Sequence, residues 1–392
     1  MKSFSLSSLL MSSLLAASTF PALAADPVKV GIALDISGPF SVGGAEARDG
    51  INLAIKLLGG KLGGQAAEFL QADTAGSPDQ AKQVADRFIQ RDKIDFFTGP
   101  APSNLALAVG PALFAAKVPY ISSNPGPSQY AGEQCNAYFF GSTYQNDTWN
   151  EAAGTYASDK GFKSAVLIAP NYPGGRDHLN GFKRTFKGSV SAEIYGKVGQ
   201  LDYAAELAQV RALKPEIVFF FLPGGMGINF IKQFVASGLS KDVTLVTNPA
   251  SADEDTIAAV GEPMLGLFST ATWSHDLPNA ANVKFVTEFR KAYNRYPTFY
   301  AAQAYDVIMA IDGAVKDVGG KVQDKPAVLK ALKAANFASV RGPFKYGNNN
   351  YPIQDYYLRV IGKNSEGKIT NKTLSTPLKG YRDAYFAKCA MK

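Results

Sequence analysis

The sequence predicts an α/β protein of two lobes, each a doubly wound parallel sheet covered by helices on both faces. The first reason is that short apolar runs alternate with segments of helical periodicity, which is the pattern of consecutive βα units. The second reason is that this series occurs twice along the chain. The third is length, because 392 residues are too many for one compact core and suit two domains.

The first 24 residues have the composition of a secretory signal peptide. Lys2 is their only charge, a run of apolar and small residues follows, and Ala22-Leu23-Ala24 fits the small-x-small pattern of a signal peptidase site. We therefore predict a signal peptide over residues 1–24, cleavage after Ala24 and export to the periplasm. No cysteine stands directly after the cleavage site to carry a lipid anchor, and no later stretch approaches 18 unbroken apolar residues, so we expect a soluble mature chain.

The first half contains four apolar runs of strand length, and each of the first three leads into a helical pattern. Ser77 and Pro78 fit the cap and first turn of the second helix, and the third helix begins near Ser103. The four runs are VKVGIALDI (28–36), AEFLQAD (67–73), IDFFTG (94–99) and VPYISS (118–123).

The second half repeats this architecture, with helices predicted from about Gly174, Tyr203 and Gly227. After Trp273 come helical patterns that look like further cover for a lobe, over 279–294, 298–317 and near 325–335. The apolar runs of this half are KSAVLIAP (163–170), SVSAEIYG (189–196), EIVFFFLP (216–223), VTLVTN (243–248) and the late strand YYLRVIGKN (356–364).

The composition excludes several classes of function. The residues are 46% hydrophobic and 19% charged, which indicates a globular chain. The formal net charge is +7, but the basic residues are dispersed, so we expect no nucleic-acid partner. The glycines at 38, 43 and 44 do not form G-x-G-x-x-G, and no phosphate-binding G-x-x-x-x-G-K-[ST] occurs, so no nucleotide cofactor is predicted.

Four loops stand where an open α/β sheet binds its ligands, beyond the carboxyl ends of strands and at the start of helices. They are SGPFSVGG (37–44), GPAPSN (99–104), SSNPGPS (122–128) and APNYPGG (169–175). Helix N-termini favour anions, so these loops predict a site for a small anionic ligand.

The chain resembles the periplasmic solute-binding proteins of the leucine/isoleucine/valine type, which serve ATP-driven (ABC) importers. The resemblance covers essentially the whole mature chain. It rests on the order and spacing of stretches such as LDISGPFSVGGAEARDGINLAI, GPAPSNLALAVGPALFAAKVPYISS, YFFGSTYQND, NYPGGRDHLNGFKRTF and LDYAAELAQVRALKPEIVFFF.

This resemblance implies two lobes that are joined by three hinge strands, of the type I periplasmic binding fold, and that close around a ligand. Lobe one would comprise 26–143 plus 274–341, and lobe two 144–273 plus 342–378. Residues 379–392 would form a tail tied back by a disulfide. Cys135 and Cys389 are the only cysteines of an exported chain, so we expect them to be bonded, with two free thiols as the alternative.

The resemblance also assigns ligand-binding residues. Ser103 matches the residue whose hydroxyl and amide hold the ligand carboxylate. Asn124 matches a loop that supplies further amide contacts, although Pro125 and Pro127 remove two N–H donors here. Tyr172 matches an aromatic residue that reaches in from the second lobe.

Two departures from the family pattern bear on the ligand. Gly43 replaces an aromatic residue, which would leave more open volume. The loop at 247–252, with Asn248 as a candidate contact, lacks the acid that amino-acid binders use for the ligand ammonium. An unpaired ammonium in a closed cleft would cost several kcal/mol, unless Asp253 or Glu254 serves instead.

Aromatic side chains are expected to line the remaining volume and to suit a flat organic acid. The alternative is that these rings are core packing, which Phe221 inside VFFFL fits better than ligand contact. The candidates at loop positions are Phe40, Tyr144, Tyr172, Phe221, Trp273 and Tyr300.

Catalytic and metal chemistry find no support in the sequence. His178 and His275 are the only histidines, neither has a partner at metal-ligand spacing, and no G-x-S-x-G occurs. The stretch RDH (176–178) is interpreted as polar surface at the start of an exposed helix. We therefore predict no enzyme activity, no metal site and no cofactor.

The sequence and the resemblance together predict a periplasmic receptor that binds a small organic carboxylate by cleft closure. The predicted ligand is an aromatic acid of the benzoate or cinnamate type, which the receptor, a monomer, delivers to the membrane permease subunits of an ABC importer. A branched-chain amino-acid receptor of the same class is the alternative. An enzyme or a sensor domain on the same fold is less favoured.

Overall fold

The computed structural model describes residues 26–391, which form two sheets in an α/β arrangement. The predicted signal peptide therefore lies outside the described residues. Within residues 26–391, no helix has the length and apolar character needed to cross a membrane.

The first sheet has six strands in the order β2-β3-β1-β4-β5-β6, parallel except for the short β2–β3 pair. Its strands are β1 (Val28–Leu34), β2 (Lys61–Leu62), β3 (Gln65–Asp73), β4 (Phe96–Thr98), β5 (Tyr120–Ile121) and β6 (Phe139–Phe140). The helices between them are α1 (Ser41–Leu57), α2 (Pro78–Arg87), α3 (Ser103–Ala115) and α4 (Ser128–Ala131).

The second sheet has eight strands, in the order β12-β13-β11-β10-β9-β7-β8 with β14 paired to β13. The strands are β7 (Ser164–Pro170), β8 (Ser189–Gly196), β9 (Ile217–Phe220), β10 (Thr244–Thr247), β11 (Phe268–Ala271), β12 (Lys345–Tyr346), β13 (Pro352–Lys363) and β14 (Ile369–Tyr381). Its helices are α5 (Thr148–Asp159), α6 (Pro173–Thr185), α7 (Ala204–Leu213), α8 (Gly225–Ala236) and α9 (Glu254–Val260).

The second sheet is less uniform than predicted, because β13 runs antiparallel to β11 and β14 runs antiparallel to β13. Only five residues separate β13 from β14, which is too few for the crossover that a parallel pair needs. The sheet is therefore parallel through its centre and antiparallel at one side.

Three helices that follow β11 return to the first sheet. They are α10 (Ala280–Tyr293), α11 (Phe299–Asp317) and α12 (Lys325–Ala334), close to the bounds predicted from the sequence. Helix α11 packs along α1, and α12 packs on α11. The chain thus passes between the two sheets three times: after β6, after β11 and before β12.

The burial of each strand accounts for the hydrophobic pattern of its sequence. Strand β1 is buried along almost its whole length, since helices cover both faces of its sheet. Strand β8 lies at an edge and alternates exposed with partly buried residues. Both patterns are the ones expected for central and edge strands of a doubly wound sheet.

Paired glycines let the helix after the first strand of each sheet, α1 after β1 and α6 after β7, approach that strand closely. A Cβ on Gly44 of α1 would lie 2.0 Å from the carbonyl oxygen of Asp35, and a Cβ on Gly175 of α6 would lie 2.0 Å from that of Pro170. Six residues later, Gly50 and Gly181 each allow a neighbouring helix to approach, with carbonyl oxygens 2.1 Å from the added Cβ. The spacing G-G-x5-G therefore serves the same packing in both lobes.

Candidate ligand-binding site

A narrow cavity lies between the lobes, where the carboxyl ends of strands from both sheets face each other. Its volume is only about 20 Å³. Seven of the ten predicted ligand-binding residues line it: Phe40, Ser103, Asn124, Tyr144, Tyr172, Phe221 and Tyr300. Each of them follows a strand end or begins a helix, as the position of sites in open α/β sheets requires.

The N-terminus of α3 supplies hydrogen-bond donors at one end of the cavity. Ser103 Oγ accepts a hydrogen bond from Asn146 Nδ2 at 3.0 Å, which leaves its own hydroxyl hydrogen free to donate. The amides of Leu105 and Ala106 bond to the Pro102 carbonyl oxygen, both at 3.1 Å. The amides of residues 103 and 104 have no partner among residues 26–391. This helix end therefore favours a carboxylate.

The side-chain amide of Asn124 connects two segments of the cavity wall. Its Nδ2 donates to the Ala101 carbonyl oxygen at 2.9 Å, and its Oδ1 accepts from the Tyr144 hydroxyl at 3.1 Å. The Tyr144 ring stacks on Trp149 with centroids 3.6 Å apart. Asn124 and Tyr144 thus fix the loop before α3 and one aromatic wall.

Two further tyrosines cover glycines at the helix starts. The Tyr300 ring lies over Gly43, whose added Cβ would come within 2.8 Å of Cζ. The prediction that Gly43 leaves open volume is therefore wrong, because Tyr300 fills that space. Tyr172 lies in the same way over Gly174. Burial raises the pKa of both tyrosines, so both hydroxyls are neutral and can donate or accept.

His178 belongs to the cavity wall. The residue is 2% exposed, and its ring stacks on Phe221 with centroids 3.6 Å apart. The interpretation of residues 176–178 as polar surface is wrong for His178 and for Asp177, which is 5% exposed. The missed signal was the repeated glycine spacing, since His178 stands one helical turn after Gly174, on the face that packs inward.

Asn146 and Asp177 join the lobes beside the cavity. Asn146 Nδ2 donates to Ser103 Oγ and to Asp177 Oδ2, each at 3.0 Å. Asp177 of α6 also accepts from the Ser128 amide at 3.0 Å and from its hydroxyl at 2.7 Å, at the start of α4. Burial, followed by the charge of Asp147, raises the pKa of Asp177 to about 7. Sequence reasoning missed both residues, because their partners are distant along the chain.

Three predicted ligand-binding residues do not line the cavity: Gly43, which the Tyr300 ring covers, and Trp273 and Asn248. Trp273 is buried beside α10, and its Nε1 donates to Asn282 Oδ1 at 2.7 Å. Asn248 lies behind the wall, where its Nδ2 contacts Asn150 Oδ1 at 3.0 Å and His178 Nδ1 at 3.3 Å.

The acids considered as partners for a ligand ammonium have other roles. Asp253 forms a buried ion pair with Arg359, with Oδ1 and Nη1 3.1 Å apart. Glu254 accepts from the Asn371 amide at 3.0 Å. Among the described residues, no Asp, Glu, Lys or Arg side chain lines the cavity. The site therefore offers aromatic faces, neutral polar groups and a helix N-terminus.

The glycine-rich turn before α1 binds a carboxylate of the protein itself. Asp73 Oδ1 accepts from the amide of Ile36 at 2.9 Å and from that of Ser37 at 3.3 Å, and Oδ2 accepts from the Ser37 hydroxyl at 2.7 Å. This loop therefore contributes Phe40 to the cavity rather than an anion site. In the part of the chain that the structure describes, no three His, Cys, Asp or Glu side chains could share a metal ion.

Comparisons with known proteins agree with this architecture. Residues 27–367 match the model of the family described as periplasmic binding protein. The Leu/Ile/Val-binding protein homolog 6 of Brucella melitensis is 29% identical over 387 residues, which cover 96% of this chain and 97% of that protein.

Solved structures give the same assignment. A solute-binding protein of an ABC transporter from R. palustris, in complex with benzoate, has a TM-score of 0.88 and 30% identity, covering 93% of this chain and 100% of that one. A solute-binding protein from Rhodopseudomonas palustris BisB5, in complex with 3,4-dihydroxy benzoic acid, has a TM-score of 0.84 and 28% identity, with 91% and 99% covered.

A leucine binding protein from Thermotoga maritima, 20% identical with a TM-score of 0.78 and 89% and 98% covered, shares the fold. The family model spans most of the chain, and the fold and cavity are those of a two-lobed receptor. The chain therefore belongs to the periplasmic binding protein family and is a solute-binding receptor of an ABC transporter.

Proposed function

We propose that this receptor binds a small aromatic carboxylate in the cavity between its lobes. The observation that carries the proposal is the pairing of aromatic walls with the α3 N-terminus, in a cavity whose described lining has no charged side chain. Ser103 and the free amides beside it would hold the carboxylate, while Tyr144, Tyr172 and Tyr300 would contact the ring.

The absence of a lining acid among the described residues disfavours an amino acid as ligand. A buried ammonium without a carboxylate partner loses several kcal/mol of hydration free energy, and about 1.4 kcal/mol corresponds to a tenfold change in affinity. A carboxylate that meets helix N–H donors has no such cost. The two relatives solved with benzoate and with dihydroxybenzoate support this ligand class.

We further propose that ligand closes the lobes by rotation about the three segments that link the sheets. The lobes would comprise 26–143 plus 274–341, and 144–273 plus 342–378, with the receptor acting as a monomer. The closed form would then dock on the permease subunits. Because the cavity volume is only about 20 Å³, side chains of its lining would shift when a ligand enters.

Isothermal titration of refolded protein, freed of any retained compound, tests the ligand class with four molecules. Benzoate should bind at least about tenfold more tightly than benzamide, which lacks the charge, because charge-assisted hydrogen bonds are worth about 1.5–3 kcal/mol. Benzoate should also bind more tightly than leucine, and more tightly than phenylalanine, which adds an ammonium group. Tighter binding of leucine than of benzoate would contradict the proposal.

A branched-chain amino-acid receptor remains the second candidate. The names of the curated relatives, Leu/Ile/Val-binding protein homologs at 29% identity, favour it. It requires an acid to reach the ligand ammonium, and Asp253 is engaged with Arg359. Mass spectrometry of a compound released from freshly purified protein would decide between an aromatic acid and an amino acid.

A further inference from the structure

Two asparagine side chains hold the ring of His178 in one orientation. Asn150 Nδ2 lies 2.7 Å from His178 Nδ1, and Asn248 Nδ2 lies 3.3 Å from the same atom. An amide NH2 group is a donor only. His178 Nδ1 must therefore be an acceptor, provided that both amides are correctly oriented.

Backbone groups at both ends of this chain of hydrogen bonds fix the amide orientations. Asn150 Nδ2 also donates to the Asn146 carbonyl oxygen at 2.7 Å, which only its NH2 group can do. Asn248 Oδ1 accepts from the Ala250 amide at 3.2 Å, so its NH2 group faces His178 and Asn150 Oδ1, the latter at 3.0 Å. Reversing either amide would place donor against donor or acceptor against acceptor.

The imidazole is consequently neutral, with its hydrogen on Nε2. Burial lowers the pKa of His178 to about 3. The groups that contact the ring are these two amides and the rings of Trp149 and Phe221, and no charged side chain of the described residues bonds to it. Within residues 26–391, Nε2 has no hydrogen-bond partner. It is not one of the fully enclosed polar atoms of these residues, so it keeps some accessible surface.

We propose that His178 determines ligand specificity by donating its Nε2 hydrogen to an oxygen acceptor that the ligand carries away from its carboxylate. This inference rests on the proposed function and narrows it to aromatic acids with an oxygen substituent on the ring. Moving the hydrogen from Nε2 to Nδ1 would make Nε2 an acceptor, but it would also break the two asparagine contacts to Nδ1. A ligand with only hydrogen or methyl at that place leaves the donor unpaired.

Matched ligand pairs test this assignment by titration. The 3- and 4-formylbenzoates carry an acceptor without a donor, whereas the 3- and 4-methylbenzoates have nearly the same shape and no acceptor. At one ring position the formyl compound should bind about three- to tenfold more tightly than its methyl partner, the range for one hydrogen bond. Equal affinities at both positions would overturn the proposal.

Three variants locate the effect at His178. In His178→Phe, which keeps an aromatic ring, the formyl-to-methyl affinity ratio should fall to about one. His178→Gln, which can accept from Asn150 and still donate, should restore part of the ratio. His275→Gln is the control, because His275 bonds to Thr370 at 2.7 Å outside the cavity, and the wild-type ratio should persist. An undiminished ratio in His178→Phe would refute the assignment.

Nitrogen-15 NMR of the imidazole groups gives a readout that needs no ligand. The chain has only two histidines, so His275→Gln leaves one imidazole in the spectrum. His178 should be the neutral, Nε2-protonated tautomer from about pH 5 to 8. An Nδ1-protonated or charged ring would overturn the inference even if aromatic acids bind. Failure of every benzoate to bind, with this tautomer present, would instead count against the proposed function.

Discussion

At the scale of single residues, Ser103 combines a local role with a distant one. It opens α3, so its amide is unpaired by helix geometry, and Asn146 donates to its hydroxyl oxygen at 3.0 Å. The distant contact directs the hydroxyl hydrogen toward other acceptors. A serine that only capped its helix would bond to an amide of the first turn, and Ser103 makes no such bond.

Replacing Ser103 with alanine should therefore affect binding more than stability. We expect Ser103→Ala to weaken benzoate binding about tenfold or more, because one hydrogen bond to a charged group is lost. Titration calorimetry measures the affinity, and thermal unfolding without ligand should show little change.

Ser77→Ala is the matched control, since Ser77 caps α2 by accepting from the Gln80 amide at 3.5 Å, away from the cavity. It should lower stability by about 0.5–1 kcal/mol and leave the affinity unaltered. If Ser103→Ala behaves like Ser77→Ala, the carboxylate is held elsewhere.

The sequence could indicate Ser103, because a serine between a strand and a helix is a local pattern. It could not indicate His178, Asn146 or Asp177 as parts of one site. The hydrogen bonds that join them to Ser103, to each other, to Ser128 and to Asn150 and Asn248 connect residues 28 to 70 positions apart in sequence. A titratable residue near the start of a helix is also usually solvated. Trp273 shows the opposite difficulty, since an aromatic residue after a strand suits a core as well as a ligand site.

At the scale of elements, the glycine pairs of α1 and α6 set how close each helix comes to its strand. Gly44 and Gly175 each face a carbonyl oxygen that an added Cβ would overlap at 2.0 Å. Gly50 and Gly181 in turn lie against the backbone of a second neighbouring segment, so each helix packs closely against two neighbours.

Gly44→Ala and Gly175→Ala should each destabilise the protein by about 1–3 kcal/mol or more, since backbone must move to admit the methyl group. Gly225→Ala is the control at the start of α8, where the added Cβ would be an ordinary 3.8 Å from a Leu201 methyl carbon. Its stability should stay the same or rise, because alanine restricts the unfolded chain. Chemical denaturation would measure all three, and equal midpoints would contradict the close approach.

The ranges of helices with clear hydrophobic periodicity could be predicted from the sequence. The direction of strands that depends on which strand they pair with could not. Helices α10 to α12 agree with their predicted ranges to within a residue or two. The antiparallel arrangement of β13 and β14 depends on which strand lies beside β11, and nothing in a run of apolar residues specifies its neighbour.

At the scale of the whole molecule, the C-terminal tail is attached to both lobes. The Cys135–Cys389 disulfide, with Cα atoms 5.6 Å apart, joins it to the region between α4 and β6. The Tyr385 hydroxyl donates to Asp147 Oδ2 at 2.8 Å, just before α5 of the second lobe. The expected disulfide is thus present in the structure, and the tail contacts the segment that first passes between the sheets.

Removing this disulfide should lower stability without altering the site. The bond closes a loop of 254 residues, for which loop-closure entropy gives an upper value of about 5 kcal/mol. The Cys135→Ser/Cys389→Ser variant should melt several degrees lower in calorimetry and bind benzoate as the wild type does. Reductant should lower the melting temperature of the wild type only. Unchanged melting in the variant would show that the bond contributes nothing.

The two-lobed α/β fold was predictable from alternating apolar runs and chain length, and membership in the family confirms it. The lobe boundaries and the aromatic ligand stay predictions. The cleft itself could not be derived, because its width depends on how two separately folded halves meet.

The glycines beneath Tyr300 and Tyr172 also indicate which positions could be substituted to change the ligand specificity. Each ring packs so closely on its glycine, Gly43 or Gly174, that an added Cβ would come within 2.8 Å of it, so the ring keeps this position only above a glycine. An engineer who wishes to retune this receptor should exchange the two overlying phenols for larger or smaller groups and leave the glycine scaffold intact.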